Sequence, residues 1–170
     1  MNKKGLIQDC LNKLNKLNDM SWEDINRKYI KLRYKLIPYL YDMMYKCEET
    51  GEPIIRPLLF NYQNDRKTYE INDEFNFGDS ILVAPVVEQG ARHKLVYLPE
   101  GDNWIDYWTG EEYKGGQYII KEAPLDICPI FVKSLSIIPV GKEQSYIGEN
   151  NDDILTLNIY LGKENGESTY

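Results

Sequence analysis

From Trp22 to Cys47 the apolar side chains recur at spacings of three and four. Trp22, Ile25, Tyr29, Leu32, Leu36, Leu40, Met43 and Cys47 form one stripe with the period of a helix. Ser21 with Asp24 three residues on has the form of a capping box, Met20 and Ile25 stand at the two positions of a hydrophobic staple, and Gly51 followed by Pro53 supplies a stop. The pattern predicts a long helix over 21–51. A second apolar set, Ile30, Tyr34, Ile37, Tyr41, Met44 and Tyr45, lies off that stripe. A helix apolar over much of its circumference is enclosed on more than one side. Pro38 removes an internal hydrogen bond and predicts a kink near Tyr34. Upstream, Leu6, Ile7, Cys10, Leu11, Leu14 and Leu17 recur among Lys and Asn, which predicts a short amphipathic helical segment over 1–20.

Past Pro53 the period changes. PIIRPLLF, SILVAPVV, KLVYLP, YIIK, PIFVKSLSIIPV and ILTLNIYL are short apolar or alternating runs separated by Gly, Pro, Asn and Asp. They predict an antiparallel β-sandwich over 52–141, with 142–170 as a final strand or the start of a further β domain and a fraying polar tail. Ile81 to Val87 is apolar throughout, as expected of a strand covered on both faces, and Pro85 predicts a bulge or strand end.

Composition narrows the classes. The chain has 170 residues, 42% of them hydrophobic and 12% aromatic, enough for a packed core. It is too short for a complete barrel enzyme of about 250 residues. The net charge of −7, with dispersed Lys and Arg, argues against nucleic acid as a partner. No run approaches the ~20 apolar residues that span a bilayer, and the opening segment lacks the apolar core of a signal peptide. Cys10, Cys47 and Cys128 are odd in number and widely spaced, which fits a reducing, cytoplasmic compartment and no metal cluster. His93 has no acid at ligand spacing and is expected on the solvent side of a strand start.

Candidate chemistry is confined to acids and aromatics. Asp73, Asp79, Asp106, Glu111, Glu112 and Asp126 are numerous enough for a carboxylate pair, yet each is also accounted for by turn chemistry beside Gly or Pro. In DNWIDYWTGEEYKGGQY, the side chains of Trp104, Tyr107 and Trp108 could stack on sugar rings; the plainer reading is a hairpin whose aromatics pair across strands. Gly115 and Gly116 supply turn flexibility, and no dinucleotide or phosphate-loop pattern accompanies them, so no cofactor is expected.

Five ordered motifs then form a resemblance: LRYKLIPYLYDMMY, GEPIIRPLLF, NDEFNFGDSILVAPVVEQGA, KLVYLPEGDNWIDYWTGEEYKGG and APLDICPIFVKSLSIIP. In this order they resemble the carboxy-terminal part of glycoside hydrolase family 31, the α-glucosidase and α-xylosidase family, from about Ser21 to Tyr170. The resemblance implies a mainly β fold: an antiparallel β-sandwich preceded by one or two helices from the end of a (β/α)8 barrel. It also implies that the retaining pair of catalytic aspartates belongs to barrel segments with no counterpart in this sequence. No residue here inherits their roles. Leu135 stands where relatives usually carry glycine, which puts a tight turn there in question. The expected role is a non-catalytic support, with the barrel, or a second copy through the long helix, as partner. The alternatives are a free-standing module that binds an oligosaccharide through the aromatic hairpin, and an autonomous hydrolase using Asp79 or Asp126.

Overall fold

The computed structural model describes residues 20–146, 148–149 and 155–162. The amphipathic segment expected over 1–20 lies outside them except for Met20, as does the polar tail beyond Gly162. The capping box forms: Ser21 Oγ accepts the Asp24 N–H at 3.1 Å, and the Asp24 carboxylate accepts the Ser21 N–H at 3.3 Å. Where the pattern predicts one kinked helix there are two, α1 (Trp22–Lys35) and α2 (Ile37–Thr50), separated by Leu36. Pro38, in the first turn of α2, has no N–H for the Tyr34 carbonyl, and its ring crowds that turn. The last carbonyls of α1 therefore need other donors, and that of Lys35 takes the N–H of Gly141 at 2.8 Å. Helix α2 ends at Gly51 in the left-handed conformation, its N–H on the Cys47 carbonyl.

The strands are β1 (Ile55–Pro57), β2 (Phe75–Phe77), β3 (Ile81–Val83), β4 (His93–Leu98), β5 (Asn103–Asp106), β6 (Glu112–Lys114), β7 (Gln117–Glu122), β8 (Ile130–Lys133), β9 (Ser136–Val140) and β10 (Thr156–Tyr160). All pairings among the described residues are antiparallel. They give a six-stranded sheet in the order β1-β2-β3-β8-β5-β6 and two ribbons, β4–β7 and β9–β10. Leu82 and Phe131, opposite one another in β3 and β8, meet Val96 and Leu98 of β4 on one side of the sheet. Ile81 and Val132, one position on, meet Tyr39 of α2 and Ile138 of β9 on the other. The middle of the sheet is dry on both faces, which is why Ile81 to Ala84 shows no alternation. The architecture is a mainly β, antiparallel β-sandwich with two helices at its start.

Several local expectations change. β3 ends at Val83, two residues ahead of Pro85, and the Ala84 N–H goes to the Pro129 carbonyl. PIIRPLLF is a strand only to Pro57; a single helical turn, α3 (Leu58–Asn61), follows, with Pro57 in extended conformation as its N-cap residue. The turn at Ser134–Leu135 forms despite the missing glycine, with Leu135 at φ 63 and its N–H on the Tyr160 carbonyl at 2.7 Å. A leucine there costs about 1–2 kcal/mol that glycine would avoid.

Tyr39 locks α2 onto the sheet. Its ring is buried against Phe77, its hydroxyl donates to the Phe77 carbonyl at 2.8 Å and accepts the Ser80 N–H at 3.3 Å, and burial pushes its pKa up to about 12. This close approach depends on Gly78, which has φ +67: a Cβ there would lie 2.3 Å from Tyr39 Oη and 2.7 Å from Met43 Sδ. On the far side, Glu74 is buried; one carboxylate oxygen accepts the Tyr97 N–H at 2.8 Å and the other has no hydrogen-bond partner. Burial, with the neighbouring Asp73 charge, raises its pKa to about 7 against the opposing effects of the Tyr97 N–H and Lys94.

Two outcomes are expected. Gly78→Ala should cost on the order of 3 kcal/mol in urea unfolding, from strain plus overpacking, whereas Gly51→Ala, with nothing within 4 Å of its Cβ, should cost about 1 kcal/mol. Because folded Glu74 holds its proton more tightly than the unfolded chain does, its contribution to stability should fall as pH rises from about 4.5 to about 7. Urea midpoints at pH 5 and pH 8 should show that fall in the parent chain, and Glu74→Gln should flatten it.

Candidate functional site

Most of the acids singled out from the sequence lie in ion pairs or turns. Asp79, in the β2–β3 turn, receives Lys46 of α2 at 2.6 Å and Arg56 of β1 at 2.9 Å. Burial alone would raise its pKa, but the two cations outweigh burial and hold the carboxyl below its usual range. Arg56 is itself buried, and it also donates to the Pro53 carbonyl and Asn61, tying β1, α3 and this turn together. Asp106 is likewise pushed up by burial and brought down further by Lys121 at 2.7 Å and by the N–H groups of Thr109 and Trp108. Those two N–H bonds are the turn chemistry expected at that position. Asp126 pairs with Lys28 of α1 at 3.1 Å, Asp73 with Lys94, and Glu111 accepts from the Tyr113 hydroxyl. The Glu112 carboxylate lies by Ser134 Oγ at 3.4 Å.

Retaining glycoside hydrolysis needs two carboxyls about 5–5.5 Å apart, one kept protonated. Asp79 and Asp126, which the autonomous-hydrolase reading requires, are instead held as ion pairs by different elements. Among the described residues no group of three or more His, Cys, Asp or Glu side chains is placed to hold a metal ion. His93 opens β4, exposed and opposite Glu122; Cys47 and Cys128 are free thiols. No described helix is long and apolar enough to cross a membrane.

The three aromatics named as a sugar platform do not share a surface. Trp104 is 0% exposed, its indole N–H on the Pro99 carbonyl and its ring against Tyr62, so it has no face to offer a ligand. Tyr107 is three residues away, an odd interval, and strand alternation sends the two to opposite faces of the sheet. That parity was readable in the sequence. Directly opposite Trp104 in the ladder stands Tyr113, the cross-strand aromatic pair of the plainer reading.

Tyr107 and Trp108 do come together, 5.1 Å between centroids, in a cleft of about 380 Å³ against Lys28, Leu32 and Lys35 of α1. The Trp108 indole is already engaged: its N–H donates to the Cys128 carbonyl at 2.7 Å, Lys28 Nζ sits 4.5 Å from its ring centre, and Tyr29 meets it edge-on. The Tyr29 hydroxyl accepts the Cys128 N–H and donates to the Asp126 carbonyl. These contacts fasten α1 to the sandwich.

The two apolar sets of the helices separate in part: Trp22 of the first is 71% exposed, and Tyr34 and Ile37 of the second are half-buried. Ile25 is buried, and Leu36 and Met43 pack on the core cluster. Ile30, Tyr41, Met44 and Tyr45 of the other set are 54–72% exposed. Tyr41, Met44, Tyr45 and Ile54 line an open groove of about 460 Å³. Tyr39, the most buried residue of α2, falls in neither set, although it stands three residues after Leu36 and four before Met43 and packs in the same cluster with them. Among the described residues the groove at Tyr41 has no cover.

Comparison with known proteins gives this geometry a context. Residues 51–138 match the family model described as Glycosyl hydrolase family 31 C-terminal domain. The chain is 42% identical over 149 residues to Alpha-glucosidase 2 of Bacillus thermoamyloliquefaciens, covering 88% of this chain and 19% of that protein. It is 35% identical over 142 residues to Alpha-xylosidase of Saccharolobus solfataricus, covering 84% of this chain and 19% of the relative. The structure of a Flavobacterium johnsoniae GH31 dextranase complexed with glucose aligns with a TM-score of 0.81 at 48% identity, over 85% of this chain and 18% of the dextranase. The chain thus spans about a fifth of the length of these relatives.

Proposed function

Because the chain belongs to glycoside hydrolase family 31, with its match in the C-terminal domain, we propose that it is a non-catalytic support for an α-glycoside-cleaving barrel. In this reading α1 and α2 close the outer layer of the barrel, and the sandwich stands behind them as a buttress. The hydrolytic carboxylates belong to the barrel. The substrate class is that of the relatives' names, α-linked glucosides and xylosides.

One observation carries the reading: α1 and α2 dock on the sandwich by one apolar face and leave Ile30, Tyr41, Met44 and Tyr45 open on the other. Covering such side chains is worth about 1.5–3 kcal/mol each. The ion-paired state of Asp79, Asp106 and Asp126 supports the other half of it, since these acids serve structure.

The test is a chimera in which residues 22–162 replace the matched segment of a family 31 α-glucosidase. It should hydrolyse a nitrophenyl α-glucoside, while the 170-residue chain alone should give no turnover. Tyr41→Asp with Met44→Asp in the chimera should lower its stability by about 3 kcal/mol or more, since two carboxylates would be buried at the joint. Turnover by the isolated chain, or a chimera indifferent to both aspartates, would overturn the proposal.

A further inference from the structure

Where the segment before β2 and the loop after β3 meet the β4–β7 ribbon there is a cleft of about 300 Å³, and four carboxylates line it: Glu70, Asp73, Glu74 and Glu88. Lys94 of β4, also on the lining, is already paired with Asp73. The cleft therefore keeps an excess of negative charge. Its apolar walls are Ile71, Val86, Leu95 and Tyr118. Glu74 sets it apart from an ordinary acidic surface: the residue is 6% exposed, one carboxylate oxygen accepts the Tyr97 N–H, and the other, buried, has no hydrogen-bond partner among the described residues. A buried acceptor left unpaired is costly, and a donor entering from the cleft would remove that cost.

We propose that this cleft binds a small organic cation, a primary ammonium on a short apolar stem, which donates to the free oxygen of Glu74 and lays its stem against Ile71, Leu95 and Tyr118. The excess charge calls for a cation. A metal ion is the poorer match, because among the described residues no group of three or more His, Cys, Asp or Glu side chains is placed to hold one, and the walls are apolar. A neutral sugar would leave the carboxylates uncompensated. Apolar walls with a few placed polar groups are the usual make-up of a small-molecule site. The cleft shares no residue with the helical groove assigned to the barrel, so the two roles are independent.

Binding is linked to a proton. Burial, with the Asp73 charge, lifts the Glu74 pKa to about 7 against the Tyr97 N–H and Lys94. Below that pH the carboxyl must release its proton to solvent before it pairs with the ammonium, so apparent affinity should fall about tenfold per pH unit. Glu70, Glu88 and His93 also face the cleft, and His93→Gln should leave this dependence in place.

A nuclear magnetic resonance titration of the full 170-residue chain with n-pentylammonium chloride tests it, read at the Tyr97 amide, whose N–H lies on Glu74. At pH 8 the amide should shift and saturate at millimolar probe, and at pH 6 the dissociation constant should be about tenfold higher. 1-Pentanol, the same stem without the charge, should bind at least about tenfold more weakly. Glu74→Gln keeps the shape of the side chain and should abolish saturation. Leu95→Lys, at an exposed position, should weaken binding about tenfold by setting a competing ammonium on the wall. No saturation of the parent chain at pH 8, pentanol binding as tightly, the same constant at pH 6 and pH 8, either Glu74→Gln or Leu95→Lys binding as the parent does, or loss of the pH dependence in His93→Gln would each overturn the proposal.

Discussion

The β3–β8 ladder lies at the middle of the six-stranded sheet, and neither of its faces meets water. Leu82 and Phe131 are 0% exposed against the β4–β7 ribbon, and Ile81 and Val132 are covered by α2 and β9. A strand pair apolar on both sides needs a cover on both sides, and the rest of the chain is arranged to supply them. The ribbon is one cover. The other is a helix, and it must come close enough for Tyr39 to reach the Phe77 carbonyl, which is why Gly78 has no room for a side chain. The break at Leu36 belongs to the same arrangement, since the Lys35 carbonyl it frees is taken by Gly141 at the end of β9.

From that constraint follows the surface available for function. A helix committed to the sheet by one face can still present another, and the second apolar set of α1 and α2 does so. The electrostatics point the same way. Arg56 with Lys46 on Asp79, Lys121 on Asp106 and Lys28 on Asp126 connect elements distant in sequence, each by a charge-assisted bond that lowers or balances the cost of burying the carboxylate.

Much of this was legible in the residues. The Ser21 and Asp24 spacing, the Gly51 stop and the double-sided run at Ile81 all correspond to observed features, and the division of the helical apolar positions into two sets does so in part. What was not legible has physical causes. Tyr39 escaped because the stripe was drawn from Leu36 through Leu40 to Met43, although Tyr39, at three and four residues from Leu36 and Met43, shares their face and its aromatic ring reaches the sheet. Trp104 was grouped with Tyr107 and Trp108 by composition, although strand parity separates it from Tyr107. Phe75–Phe77 is too short, and too crowded by Asp and Asn, to stand out as a strand, and only its pairing with both β1 and β3 makes it one. Leu135 shows that a fold can keep a left-handed turn without glycine when the flanking strands fix it.

Native-state hydrogen exchange on the intact chain asks most directly whether the doubly covered ladder holds the structure together. The backbone amides of Leu82 in β3 and of Phe131 and Val132 in β8 should be the slowest to exchange, opening only with global unfolding, while those of the edge strands β1 and β6 exchange through local opening. If β3 and β8 exchanged as fast as β1 and β6, the middle of the sheet would not be the part on which the helices and ribbons depend.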